Sequence, residues 1–145
     1  MIESYPSKIK YLPEDKSYLV EFPDLPGCLT EGDSIENAKR NAKEALTGYL
    51  ASLFERNLKI PSPSDLKGKN IFYVEPEPEV ALSIMLRKLR EGGRLTQSDI
   101  AKVLGISYQA YQRLEKPGKS NPTIKTLERL ARVFDKDLRL EFVRR

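Results

Sequence analysis

The sequence predicts an α+β protein in two halves: a small sheet carrying one layer of helix, then an all-helical half that closes on a short strand. Three observations predict it. Period-two stretches and turn residues crowd into the first 34 positions, and a run at steps of three and four follows over 35–57. Glu75-Pro76-Glu77-Pro78 interrupts both patterns, and alternating Pro makes a short, stiff, extended segment. Charge changes sign across it: residues 1–75 hold 10 Lys and Arg against 12 Asp and Glu, whereas residues 76–145 hold 15 against 9. An acidic half beside a basic half points to two partners, nucleic acid for the basic one. The expected organisation is a first domain over 1–75, a Pro/Glu linker over 76–79 and a second domain over 80–145.

Residues 7–12 set Ile9 and Tyr11 on one face and Lys8, Lys10 and Leu12 on the other, the alternation of a strand. Residues 13–16 are polar turn formers. Residues 18–22 alternate again, with Tyr18, Val20 and Phe22 against Leu19 and Glu21, so the pair reads as a hairpin. Pro23 to Gly27 make a rigid turn, because each Pro fixes φ. Residues 28–31 are a short third strand, and Ser34 caps the helix over 35–57. There Ile35, Ala38, Ala42, Ala45, Leu46, Tyr49, Leu50, Leu53 and Phe54 share one side. Residues 60–64 (Ile-Pro-Ser-Pro-Ser) stop that helix, and 71–75 give a fourth strand. Strand, strand, strand, helix, strand is a small α+β sandwich.

In the second half, Pro78 suits the first turn of a helix over 80–91, with Leu82, Met85, Leu86 and Leu89 inward and Gly92-Gly93 at its end. Residues 95–115 then read as a helix-turn-helix. Thr96 caps the first helix, with Asp99 as reciprocal partner, and Ile100, Ala101 and Leu104 form its inner face. Gly105 supplies the left-handed residue of the turn. Ile106 is the apolar turn residue, and Ser107 caps the second helix. Ala101 is small where two steeply crossing helices need close approach. Tyr111 and Leu114 face inward, leaving Tyr108, Gln109, Gln112 and Arg113 outside. Gln and Arg make paired hydrogen bonds to base edges in the major groove, so this face is the candidate DNA reader. Lys116 and Lys119, in the basic loop over 116–121, are placed to reach phosphate. Thr123 caps a last helix with Ile124, Leu127, Leu130, Ala131 and Phe134 inward. Residues 138–143 alternate Leu138, Leu140 and Phe142 against Arg139 and Glu141, which predicts a strand. A lone strand needs an edge, so these three apolar residues are the expected contact of a homodimer or higher oligomer.

Residues 80–134 resemble the Cro/repressor family, and the likeness runs on through Asn121-Pro122-Thr123. It implies that Gln97 anchors a phosphate, that Tyr108, Gln109 and Arg113 face bases, and that Arg90 pairs with Glu115. With Ser107, Gln112, Lys116, Lys119 and Asn121 these make up the candidate DNA site. The chain departs from that family at its end, where a fifth helix would be expected. The first half resembles the HicB antitoxin family. The residues that carry the resemblance are Tyr18 to Asp33 with Phe22-Pro23-Asp24-Leu25-Pro26-Gly27-Cys28 inside them, then Ser34 to Ala38 and Ala42 to Leu46. It implies a partial ribonuclease-H-like fold, neutralisation of a HicA-like ribonuclease toxin by direct binding, and repression of the protein's own operon. Candidate toxin-contact residues are Phe22, Pro23, Asp24, Leu25, Glu31 and Asp33. The Phe22–Cys28 turn has two readings, a contact loop and a structural corner.

The chain holds 145 residues with no His and one cysteine, Cys28, which has no partner for an internal disulfide. Its apolar setting marks it as a small buried residue. Lack of His removes the commonest base and metal ligand. No run approaches the ~20 apolar residues of a membrane span, and the first residues lack a signal-peptide core. A cytoplasmic protein with no cofactor and no membrane partner is expected. Glu21, Asp24, Glu31, Asp33 and Glu36 are the carboxylates of an alternative reading, a metal-dependent nuclease, which would need them to converge. A ligand-sensing repressor is the other alternative, though some 75 residues with one helix layer leave little room for a pocket. The reading that follows is a binding protein, not an enzyme, with a HicA-like toxin and operator DNA as partners.

Overall fold

A computed structural model describes residues 2–145. The chain divides into two compact units, residues 1–82 and 83–145, and the boundary falls inside a helix. The first unit is a four-stranded antiparallel sheet with a single helix on one face. Its elements are β1 (Tyr5–Leu12), β2 (Ser17–Glu21), β3 (Leu29–Gly32), α1 (Ile35–Glu55) and β4 (Ile71–Val74), and the strand order is β3-β2-β1-β4. β1 is central. It pairs with β2 in the register Ile9 to Val20 and with β4 in the register Ser7 to Phe72.

The pleat puts Tyr5, Ser7, Val20, Phe22, Gly32 and Val74 on the helix-covered face, and all six are buried. α1 answers with Ala38, Ala42, Leu46 and Leu50, a stripe at steps of four. Small residues at the start and large ones later fit a helix that lies tight on the sheet at its N-terminal end. Gly32 shows how tight: a Cβ there would stand 2.4 Å from the Ala38 nitrogen. Each fully buried Leu of the stripe contributes about 1.5–3 kcal/mol. The Ser34 hydroxyl caps α1 by accepting from the Asn37 N–H at 3.0 Å. The far end closes on Asn57 in the left-handed region (φ 55), with the Leu58 N–H donating back to the Leu53 carbonyl.

Polar anchors fix what the strands leave loose. The Tyr5 hydroxyl donates to the Pro61 carbonyl at 2.7 Å, and burial pushes its pKa up to about 12. The Ser7 hydroxyl donates to the Phe72 carbonyl at 2.8 Å. Both Tyr73 bonds, to Ser64 and Leu66 carbonyls, tie the Pro-rich segment beside β4. The Pro/Glu stretch is held rather than loose: Pro76 is buried, and the Glu77 N–H donates to the Thr47 hydroxyl at 3.0 Å. Cys28 is buried, with its thiol pushed up to about 11 by desolvation.

The helices of the second half are α2 (Pro78–Gly92), α3 (Gln97–Leu104), α4 (Tyr108–Leu114) and α5 (Ile124–Val133). Four expectations change here. On α2 the buried residues are Val80, Ala81, Ser83, Ile84 and Leu86, while Leu82, Met85 and Leu89 are only half-buried. Ile124 is 57% exposed, because it opens α5 ahead of the face that buries Leu130. The left-handed position after α2 is Arg94 (φ 56), one residue past the glycine pair. The largest difference is at the end of the chain. Residues 138–145 carry no regular secondary structure in the single chain, and Leu140 and Phe142 are exposed. A strand exists only through its ladder, and no edge among the described residues pairs with this segment. No helix is long and apolar enough to cross a membrane.

Gly32→Ala should destabilise the first unit by about 1–3 kcal/mol, because backbone atoms of α1 occupy the space a methyl needs. Chemical denaturation of the two proteins checks this, and an unchanged midpoint would contradict the close approach.

Candidate nucleic-acid interface

α3 and α4 are both defined by their ends. The Thr96 hydroxyl accepts from the Asp99 N–H at 3.0 Å, and the Asp99 carboxylate accepts from the Thr96 N–H at 2.8 Å. These bonds hold the Asp99 carboxyl below the usual carboxylate range. Gly105 sits at φ 69, ψ 30, and the Ser107 hydroxyl accepts from the Ala110 N–H at 3.1 Å to start α4. Ile100, Ala101 and Leu104 of α3 and Tyr111 and Leu114 of α4 are buried together in this unit. From α5, the Arg129 guanidinium donates to the Leu104 carbonyl at the end of α3.

A buried ion pair locks the arrangement. Arg90 Nε donates to Glu115 Oε2 at 2.8 Å and Arg90 Nη2 to Glu115 Oε1 at 3.1 Å, a two-toothed contact. The side chains are 14% and 3% exposed. Arg90 Nη1 also donates to the Leu95 carbonyl at 3.1 Å. The hydrogen bonding with Glu115 pushes the Arg90 pKa further up despite burial. Burial, and then the Glu115 carboxylate, raise the Tyr111 hydroxyl as well. Nearby, the Ser83 hydroxyl donates to the Leu114 carbonyl at 3.5 Å. Glu115 therefore fixes the end of α4 against α2.

The pair extends to the surface. Gln97 Nε2 donates to Glu115 Oε1 at 3.4 Å, and the Tyr108 hydroxyl donates to Gln97 Oε1 at 3.2 Å. Two outward candidates are thus braced by the buried carboxylate. Sequence spacing carries no signal for this chain of contacts, since Tyr108 and Gln97 lie on different helices. Of the other candidates, Gln109 and Arg113 are exposed on α4, and Gln112 is half-buried. Ser107 is spent on its cap. Lys116, Lys119 and Asn121 are exposed on the loop after α4, where Gly118 (φ 76) makes the bend. The surface therefore presents amide, guanidinium and ammonium donors with no carboxylate of α4 among them.

The candidate toxin residues divide. Phe22 and Leu25 are 2% and 0% exposed and belong to the core, so they are corrected from contact residues to packing residues. Asp24 Oδ2 accepts from the Ser64 N–H at 2.8 Å and from its hydroxyl at 3.0 Å. The Phe22 to Cys28 turn is a structural corner, closed by the Leu25 to Phe22 and Cys28 to Leu25 backbone bonds. Pro23, Glu31 and Asp33 stay exposed. Among the described residues no three His, Cys, Asp or Glu side chains are grouped to hold a metal, so Glu21, Asp24, Glu31, Asp33 and Glu36 do not converge.

A family model described as "HicB_like antitoxin of bacterial toxin-antitoxin system" matches residues 5–84, more than half of the chain. The chain belongs to the HicB-like antitoxin family. A second model, described as helix-turn-helix, matches residues 86–140 of this HicB-like protein. It is 34% identical to Antitoxin HicB of Escherichia coli (strain K12) over 110 residues, 76% of this chain and 78% of that one. It is 35% identical to Antitoxin HicB 1 of Photorhabdus laumondii over 101 residues, where the match spans 70% of this chain and 63% of the relative. A chain of a solved toxin-antitoxin complex from Streptococcus pneumoniae is 20% identical, with 94% of this chain and 91% of that one covered and a TM-score of 0.46.

Removing one partner of the Arg90–Glu115 pair strands a buried charge. Arg90→Met or Glu115→Leu alone should cost about 3–5 kcal/mol, while the double variant should sit close to wild type. A double-mutant cycle by thermal or urea unfolding measures the coupling, and additive single effects would contradict it.

Proposed function

We propose that this protein is the antitoxin of a type II pair: its first half binds and neutralises a HicA-like ribonuclease toxin, and its second half represses the operon that encodes both. The observation that carries the reading is the outward face of α4. Gln109, Gln112 and Arg113 stand on a helix that one side-chain cap starts and a buried ion pair at its end holds. Preset side chains of these types suit base edges in the major groove, and the Lys116 and Lys119 ammonium groups beside them suit phosphate. The net positive balance of residues 76–145 supports the same assignment. Family membership, and relatives named as antitoxins, support the first half of the reading.

One helix-turn-helix reads only a few base pairs, so a specific operator calls for two copies on half-sites about one turn apart or a multiple of it. Residues 138–143 supply the dimer contact in this proposal, each copy pairing with the same segment of the other. Leu140 and Phe142 are 62% and 108% exposed in the single chain, and a two-stranded ribbon would cover them and Leu138.

Two measurements test the operator half. Arg113→Ala should cost about 1–3 kcal/mol at the cognate site and relax one base position, while Lys119→Ala should weaken cognate and random duplexes alike and flatten the salt slope. Titrations on both duplexes at several salt concentrations read this out, and equal losses on both for Arg113→Ala would remove it from base readout. Deleting residues 138–145 should abolish the dimer and lower operator affinity sharply while toxin binding persists. A truncated protein that stays dimeric and binds the operator unchanged would take these residues out of the interface.

A further inference from the structure

The two edges of the sheet are finished differently. Beside β4 runs the Pro-rich segment bound by Tyr73, and Lys67 and Lys69 stand in the loop ahead of it. Lysine and proline are the usual guards of a strand edge. β3, the opposite edge, has neither. Its sequence is Leu29-Thr30-Glu31-Gly32, without a bulge in a register that runs unbroken from Glu21–Leu29 to Tyr18–Gly32.

The phase of the ladder says which groups are open. The Phe22 N–H donates to the Cys28 carbonyl at 3.1 Å. In an antiparallel pair, bonded and non-bonded positions alternate, so Thr30 and Gly32 also bond to β2, while Leu29 and Glu31 direct their N–H and C=O away from it. Asn41 Nδ2 donating to the Glu31 carbonyl at 2.9 Å, from the outer side, agrees with that phase. Among the described residues the Leu29 N–H, the Leu29 carbonyl and the Glu31 N–H have no backbone partner, an open row of donor, acceptor and donor.

The side chains around the row are acidic and apolar. Glu21 and Glu31 stand on the uncovered face, and Asp33 and Glu36 follow at the start of α1. Leu29 and Ile35 are 56% and 48% exposed. Glu31 accepts from the Ser17 hydroxyl at 3.2 Å, and neither Glu31 nor Asp33 makes an ion pair among the described residues. The basic groups nearby are Lys8, opposite Glu21 in the sheet, Lys10, in one cross-strand row with Leu19 and Glu31, and Arg40, one turn after Glu36.

We propose that the open edge of β3 is where the toxin docks, adding an extended basic segment of its own to the sheet. This rests on the antitoxin reading and names the surface that reading leaves unassigned. Backbone bonds to Leu29 and Glu31 supply affinity, while Glu31 and Asp33 select Lys and Arg on the incoming strand, and Leu29 and Ile35 offer apolar contact beside it.

Backbone hydrogen exchange on the 145-residue chain, alone and with a catalytically inactive HicA-like toxin encoded beside it, tests the proposal. In the toxin-free chain the Leu29 and Glu31 amides should exchange fast while Thr30 is protected. In the complex both should slow by about tenfold or more, the effect of one gained backbone bond each. Leu29→Pro removes an outward N–H without touching the β2–β3 ladder and should raise the Kd by about tenfold. Glu31→Lys combined with Asp33→Lys should raise it at least as much and slow association, with thermal unfolding confirming that each variant is folded. A toxin that binds tightly while both amides stay fast would overturn the edge and leave the antitoxin reading standing. Protection that instead grows with the concentration of toxin-free protein would give the edge to a second copy and overturn the proposal. No binding of the toxin at all defeats the antitoxin reading and this proposal with it.

Discussion

The second unit depends on one buried carboxylate. Glu115 accepts two bonds from Arg90 and one from Gln97, and it is 3% exposed. A carboxylate taken out of water is costly unless charge and hydrogen bonds replace its hydration. Here the replacement comes from two elements at once, α2 through Arg90 and α3 through Gln97, while Glu115 itself ends α4. The same guanidinium also holds the Leu95 carbonyl at the entry to α3. Helices of seven and eight residues have little stability of their own, so their relative placement has to come from such shared contacts. The pair converts a charge penalty into a geometric rule, since a packing that parts Arg90 from Glu115 strands both buried charges.

That rule reaches the surface through Tyr108 and Gln97. A reading helix works best when its side chains are already set, because each rotamer fixed in advance is entropy not lost on binding. The Tyr108 to Gln97 to Glu115 chain does this for two residues, while Gln109 and Arg113 remain free to adapt. Braced and adaptable side chains thus stand side by side, Gln97 on α3 and Tyr108, Gln109 and Arg113 on α4.

The first unit is governed by distance rather than charge. Gly32, Ala38 and Ala42 let α1 settle on the sheet, and Leu46 and Leu50 fill the widening gap beyond. A single helix layer leaves the other face of the sheet bare. That face intersperses Lys8, Lys10, Glu21 and Glu31 among Leu12, Leu19, Leu29, Ile71 and Tyr73, so charge breaks up its apolar surface. The apolar residues of the Phe22 to Cys28 turn serve the same packing: Phe22, Leu25 and Cys28 are all buried, and Asp24 pins the Pro-rich segment through Ser64.

Much of this was determined by the sequence alone, wherever the physics is local. Caps at Ser34, Thr96, Ser107 and Thr123, the left-handed Gly105 and the period of each helix all act over a few residues, and each element lies within two or three residues of its expected place. Only the tertiary structure decided what depends on residues far apart. That β4 joins β1, that Asp24 meets Ser64 forty positions on, and that Phe22 and Leu25 turn inward from a polar, Pro-rich turn are settled by packing rather than by spacing. Tyr108 reaching Gln97 is of the same kind, a meeting of two helices that no periodicity encodes. The alternation at 138–143 marks the opposite limit. Period two gives a segment the side chains of a strand, but a strand is made by a neighbour's hydrogen bonds, and one chain folded by itself provides none there.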